Sequence, residues 1–177
     1  MAIDEYFARL DRREIRVVRG VAAVSRWPPM LTCCRRATWL GNGWLYLGTV
    51  GMVLWIDGLA AWRMLLAASL AVCLAFIPYL WLKPSLKRLR PCDSEPLLDV
   101  GARALDRYSC PSGHCMTLAA AAIPLTWMHP QLTPIVLLFG LFLAWARMAL
   151  GHHYPSDLLI GLILGATSGL AVSFVLL

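Results

Sequence analysis

The chain has 177 residues, 59% of them hydrophobic, and a mean hydropathy of +0.65. That is too apolar for a soluble domain of this size and implies a single-domain integral membrane protein. The net charge of +6, from 16 Lys and Arg against 10 Asp and Glu, is interleaved with the apolar stretches, so it points to a basic membrane face and away from nucleic acid.

Met1 to Gly20 carries a charge every few residues and no continuous apolar core, so no secretory signal is expected and the first span has to direct insertion. Ile3, Phe7, Leu10, Val17, Val21 and Val24 form a helical stripe broken by Glu14, with Arg9, Arg12, Arg13, Arg16 and Arg19 at the other positions. The pattern predicts an N-terminal amphipathic interfacial helix over residues 1–28, the alternative being a helix packed on the bundle. Pro28-Pro29 ends it under either reading. Five windows then have the length and hydropathy to cross a bilayer, at about 39–57, 62–82, 113–128, 132–150 and 158–177, the third being the shortest. The predicted fold class is all-α: an integral membrane helical bundle of about five transmembrane helices plus the N-terminal helix. It forms one domain over 1–177 with a transmembrane core at 39–177. Internal repeats and low-complexity segments are absent. Six cysteines show no paired metal-ligand spacing and are expected to be structural thiols; Cys33 and Cys34 are adjacent, while Cys92, Cys110 and Cys115 flank the segments described next.

Three short segments carry chemistry. After the second window come Lys83 and Arg90-Pro91; if residues 84–90 are helical, with Pro84 in the first turn, the two cations share one face about two turns apart and reach one phosphate. The plainer reading is a pair of membrane-interface anchors, and Lys87 and Arg88 are read as headgroup contacts. Pro111-Ser112-Gly113-His114 opens the third window. Pro preorganises the entry, Ser caps, Gly lets an anion approach the backbone N–H groups, and the helix dipole favours negative charge there. An ordinary capped helix start looks similar apart from His114. Arg147 lies near the end of the fourth window, where an ionisable residue is costly and marks function. Gly151 ends that span, Pro155 suits the next first turn, and Asp157 follows His153 by four residues, within reach to orient the imidazole. An interface pair of polar residues is the alternative. His152 is assigned an interface or supporting role, and His129, at the opposite face, a structural one. Because each span reverses the chain, five spans put all three segments on one side.

Taken in order, these segments resemble the signature of the type 2 phosphatidic acid phosphatase family, over about residues 83–157. The family often has Ser before the arginine of its third motif; here it is Ala146, which removes one phosphate hydrogen bond but no catalytic group. The family commonly has six spans, and in this chain the basic amphipathic helix replaces the first. The resemblance implies that His153 attacks phosphorus and forms a phosphohistidine, with Asp157 hydrogen-bonded to its other ring nitrogen. It implies that His114 protonates the leaving oxygen and later activates water, and that Lys83, Arg90, Ser112, Gly113 and Arg147 hold the transferring group. No metal or other cofactor is required.

The expected function is therefore hydrolysis of a membrane lipid phosphate at the bilayer surface, with polyprenyl diphosphate, phosphatidic acid and phosphatidylglycerophosphate as substrates that fit. The alternatives are phosphotransfer to an acceptor alcohol and a non-catalytic lipid-phosphate binding or transport protein. Residues 92–110, with Leu97, Leu98, Val100 and Leu105 among charges, read as a partly apolar lid or as an ordinary interfacial loop. With five spans, all Lys and Arg except Arg63 fall on the active-site face, and the positive-inside rule places that face in the cytoplasm of a bacterial cell. Reduced cysteines near the site agree with this, whereas a Cys92–Cys110 disulfide would reverse it.

Overall fold

The computed structural model describes residues 3–177 except Arg103, with side chains from residue 5 onward, so Ile3 of the N-terminal stripe lies outside the described side chains. All regular structure among the described residues is helical. The elements are α1 (Ile3–Val24), α2 (Pro28–Trp39), α3 (Leu45–Asp57), α4 (Trp62–Leu86), the short α5 (Pro91–Ser94), α6 (Gly113–Met128), α7 (Thr133–Ala149) and α8 (Pro155–Leu176). Each of the five apolar windows is thus helical. Three helical stretches have the length and hydropathy of a membrane span: Pro28–Ser94, which runs through several helices and their kinks, Pro130–Ala149 and Pro155–Leu176.

The core of the bundle is the crossing of α6 and α8, against which α4 packs. Gly161, Gly165 and Gly169 recur every four residues on α8 and let its backbone lie directly on α6. A Cβ added at Gly161 would sit 2.4 Å from Ser112 O, and one at Gly165 2.1 Å from Met116 O. Small residues spaced this way allow the close helix approach that replaces hydrophobic driving force inside a membrane. Ala71 and Ala75 of α4 meet Met116 and Ala120 of α6 in the same close-packed core.

α3 is joined differently. Leu40–Trp44 forms a wide turn between α2 and α3, with Gly43 at φ 138°, a conformation that excludes most side chains. From there α3 is tied to α6 near both ends, by Tyr46 Oη with Thr117 Oγ1 at 2.8 Å and by Asp57 Oδ2 with His129 Nε2 at 2.9 Å. Between those ties lies a cavity. The second contact gives His129 the structural role expected of it.

α1 packs on α7 and α8 through a face that overlaps the apolar stripe only in part. The buried positions are Ile15, Val18, Val21 and Ala22, while Val17 and Val24 are exposed. Asp11 and Glu14 point inward to a buried cation, so the packed face is shifted toward them; it keeps Val21 of the stripe and leaves the Val17 and Val24 edge outside. The segment after α4 also differs from expectation. Residues 84–90 do not form a helix of their own: Pro84 lies in the last turns of α4, and Lys87 adopts a left-handed conformation (φ 47°) that stops the helix. The chain then turns inward at Arg88 and Arg90, both of which are buried.

Candidate active site

One cavity of about 860 Å³ brings together Lys83, Arg90, Gly113, His114, Arg147 and His153 at its polar end. Each arrives by a local rule. Gly151, at φ 67°, closes α7 and reverses the chain, and the carbonyl of Arg147 accepts the His152 and His153 N–H groups. Pro155 then starts α8 in its first turn, and Asp157, at the third position, accepts the Tyr154 N–H through Oδ2 at 2.8 Å. The Ser112 N–H donates to the Asp157 carbonyl at 3.0 Å, which fixes the start of α6 to the start of α8 and with it His114 relative to His153.

His153 is fully buried. Arg147 Nη2 donates to its Nε2 at 3.2 Å, so that nitrogen is the acceptor and the ring proton belongs on Nδ1, which faces Asp157 Oδ2 at 3.7 Å. That separation is longer than a hydrogen bond, and Nδ1 is left without a partner. Burial, reinforced by Arg147, Arg90 and Lys83, holds the His153 pKa well below the ordinary imidazole value, so the ring is neutral and its Nε2 lone pair is held by Arg147 alone. His114 is oriented from the other side: its Nε2–H donates to Thr38 O at 3.2 Å and to Asn42 Oδ1 at 2.8 Å. Gly41 makes this possible, since a Cβ there would sit 2.8 Å from His114 Cδ2.

The cations are already engaged. Lys83 Nζ donates to Asp106 Oδ2 at 2.7 Å and Tyr79 Oη at 2.9 Å. Arg90 donates to the His152 carbonyl at 2.7 Å, to the Tyr108 carbonyl at 3.0 Å and to Asp106 Oδ1. Burial works against the Asp106 carboxylate, but the Lys83 hydrogen bond and the charges of Lys83 and Arg90 outweigh it and lower its pKa below the usual value. Three cations against this one carboxylate leave two positive charges in excess at the polar end of the cavity, the charge of one phosphate dianion with opposite sign.

Two expected site residues, Ser112 and Asp157, stand back from the cavity. Ser112 caps α6 by position, but its side chain makes no capping bond; Oγ is buried without a partner, as is Arg147 Nε. Asp157 is behind His153, as an orienting group would be. His152 donates from Nε2 to the Ala102 carbonyl at 2.8 Å and fastens the 92–110 loop, in line with its supporting assignment. Burial and Arg147 lower its pKa to about 4. The loop is neither a free lid nor a bare connection: Leu98 is buried against Ile15, Val18 and Tyr154, while Leu105 and Asp106 line the cavity mouth. All six cysteines are free thiols.

Arg88, Asp106 and Asn42 were not among the expected site residues. Arg88 was read as a headgroup contact, yet its side chain is fully enclosed and bonded to Asp11, Glu14 and Asp157. The signal was there in kind: a chain with acidic residues on its N-terminal helix needs a buried counter-charge if that helix packs inward.

Known proteins resemble this chain in sequence and in fold. Decaprenylphosphoryl-5-phosphoribose phosphatase of Mycobacterium tuberculosis is 32% identical over 94% of this chain and 93% of its own. A putative undecaprenyl-diphosphatase of Escherichia coli is 27% identical over 71% of this chain and 64% of its own. Among solved structures, LpxE of Aquifex aeolicus superposes with a TM-score of 0.73 at 21% identity, covering 90% of this chain and 93% of that one. A transmembrane PAP2-type phosphatidylglycerolphosphate phosphatase of Bacillus subtilis superposes with a TM-score of 0.69 at 21% identity, covering 94% and 86%. The PAP2 superfamily model matches residues 60–176, a stretch that holds every segment meeting at the cavity from Lys83 to Asp157, and the chain is an integral membrane member of the PAP2 superfamily.

Proposed function

We propose that the protein hydrolyses the phosphomonoester of a long-chain membrane lipid. The observation that carries this reading is the shape of this cavity: cations and two imidazoles at one end, and Val50, Met64, Leu65, Val72, Phe76 and Leu125 along the rest. From Lys83 to Met64 that wall follows α4 for roughly 28 Å, the depth of a bilayer core. A phosphate fixed at the polar end would keep its chain within this trough. The mycobacterial relative, which covers nearly the whole chain, supports a prenyl-linked phosphate as the first substrate to try.

In this reading Nε2 of neutral His153 attacks phosphorus, the P–O bond to the lipid breaks, and the leaving oxygen takes a proton from His114. Because His114 Nε2–H is committed to Thr38 and Asn42, the donated proton sits on Nδ1, where the ring takes it up as the phosphate dianion binds beside it. The imidazole of His153 becomes cationic as it is phosphorylated, and Asp157 stabilises it by closing the gap to Nδ1. His114, now neutral, takes a proton from water, whose oxygen displaces His153 and releases inorganic phosphate. Lys83, Arg90 and Arg147 offset the charge of the equatorial oxygens throughout. These side chains supply the positive charge, so chelators are expected to leave activity intact and vanadate to inhibit.

The deciding experiment incubates purified protein with labelled polyprenyl phosphates and diphosphates, phosphatidic acid and phosphatidylglycerophosphate. Free phosphate supports hydrolysis. A labelled acceptor alcohol would replace it with phosphotransfer, and unchanged lipid across the panel would leave a binding or transport role.

The charge distribution supports a cytoplasmic site in a bacterial membrane. Among the described residues, Arg63, at the start of α4, is the only Lys or Arg on the far side of the bundle in the five-span arrangement. A reporter active only outside the cytoplasm, fused after Leu177, is expected to be active. A silent fusion, with a cytoplasmic reporter bright at the same point, would reverse the orientation.

A further inference from the structure

Arg88 is a buried cation for which the proposed chemistry has no task. It reaches none of the cavity, and it is surrounded on every side. Nη1 donates to Asp157 Oδ1 at 2.6 Å and to Ser156 Oγ at 2.7 Å. Nη2 donates to Asp11 Oδ1 and Glu14 Oε2, both at 2.7 Å, and Nε donates to Asp11 Oδ1 at 2.9 Å. The Tyr154 ring lies 4.2 Å from the guanidinium carbon and the Phe7 ring 5.0 Å. Glu14 closes the cluster by accepting the Ser156 N–H at 3.1 Å and its hydroxyl at 2.7 Å.

The geometry matters because of what Asp157 has left. Its Oδ1 is taken by Arg88, its Oδ2 accepts the Tyr154 N–H, and the same Oδ2 faces His153 Nδ1. A carboxylate held at one oxygen swings about its terminal torsion, which is broad and weakly restrained. Held at both oxygens, it presents one lone pair to the imidazole. We propose that Arg88 is a positioning residue for the reaction: it fixes the Asp157 carboxylate toward His153, and Asp11 and Glu14 make the N-terminal helix the support that holds Arg88. This rests on His153 as nucleophile and Asp157 as its orienting group. A lysine at 88 keeps the charge but lacks the planar fork that spans Asp157 and α1 together, so one of the two attachments is lost.

The test is a double-mutant cycle in the full-length protein in detergent, reading kcat, KM and melting temperature on a lipid phosphate that the wild type hydrolyses. Arg88→Lys is expected to melt near the wild type, with kcat down about 10-fold and KM within about twofold. Arg88→Ala is expected to lose about 10²-fold in kcat, and the same change in an Asp157→Asn background to cost less than about twofold more. Glu14→Gln is expected to lower kcat about threefold in the wild type and to have no effect on top of Arg88→Ala. A residue that only held the fold would lower the melting temperature and add its cost equally in both backgrounds. Additive costs, or wild-type kcat in Arg88→Lys, would overturn the proposal; if Arg88→Ala does not fold, the cycle is run with Arg88→Lys. Full turnover in Asp157→Asn would instead sink the reading of the dyad on which the proposal rests.

Discussion

α8 and α3 both flank α6, and they do so by opposite means. α8 lies on α6 backbone to backbone through Gly161, Gly165 and Gly169, so the distance between the starts of the two helices is set by contact. α3 is tied to α6 through Tyr46–Thr117 and Asp57–His129, with the cavity between, and it buries only Val53 completely among its residues. The difference assigns tasks. In the proposed mechanism the incompressible seam carries the proton donor His114 and the nucleophile His153, whose relative position has to be held within a fraction of an ångström. In the same reading the strutted side faces the apolar trough, where a lipid chain needs room and tolerates change.

Changes at the seam should therefore destroy turnover, and changes in the trough should alter substrate capture. The largest effect is expected for His153→Ala and His114→Ala, each losing at least about 10³-fold in kcat with the melting temperature kept; near-normal turnover in folded His153→Ala would remove the nucleophile from the account. Next is Gly165→Ala. Its methyl group would meet Met116 O at 2.1 Å, so the seam has to open, at a cost of about 1–3 kcal/mol in stability and with kcat falling as the histidines separate. A Gly165→Ala protein as stable and active as the wild type would mean that the seam does not hold the site. On the other side Ala68→Phe, which projects into the trough, should raise KM for a long-chain substrate about 10-fold while leaving kcat on a short-chain one unchanged. An equal effect on both chain lengths would contradict the division.

A smaller, global effect should appear with pH. Burial keeps His152 and His153 deprotonated in the folded protein, with the His152 pKa at about 4 and that of His153 also lowered. The unfolded chain takes up protons on both rings below about pH 6.5, so the stability present above that value drains as the pH falls toward 4. Melting temperatures at pH 7.5, 5.5 and 4.5 should decrease in that order; a flat series would show that the rings are not held neutral.

Much of this was legible in the residues. The five apolar windows are helices, and Lys83, Arg90, Gly113, His114, Arg147 and His153 share one cavity because chain reversal at Gly151 and the helix starts at Ser112 and Pro155 are local events with local signals. What was hidden depends on distant partners. Arg88 reads as an interface anchor because a cation after an apolar helix usually is one; its carboxylates at 11, 14 and 157 are far away in sequence. The inward face of α1 was misplaced for the same reason, since Glu14 looks like a flaw in an apolar stripe until its partner is known. Asp106 and Asn42 carry no spacing signal at all. The glycines of α8 did carry one: a glycine every fourth residue within an apolar helix marks a close helix contact, and reading it would have placed α8 against another helix from the sequence alone.

The central claim is that His153 carries the phosphoryl group, and a single-turnover quench reads it directly. Wild-type protein mixed with a lipid bearing a labelled terminal phosphate, and stopped without acid, should hold label that survives base, is lost in acid, maps to His153 and is absent from His153→Ala. Release of free phosphate with no label ever appearing on the wild-type chain, or label persisting in His153→Ala, would contradict it.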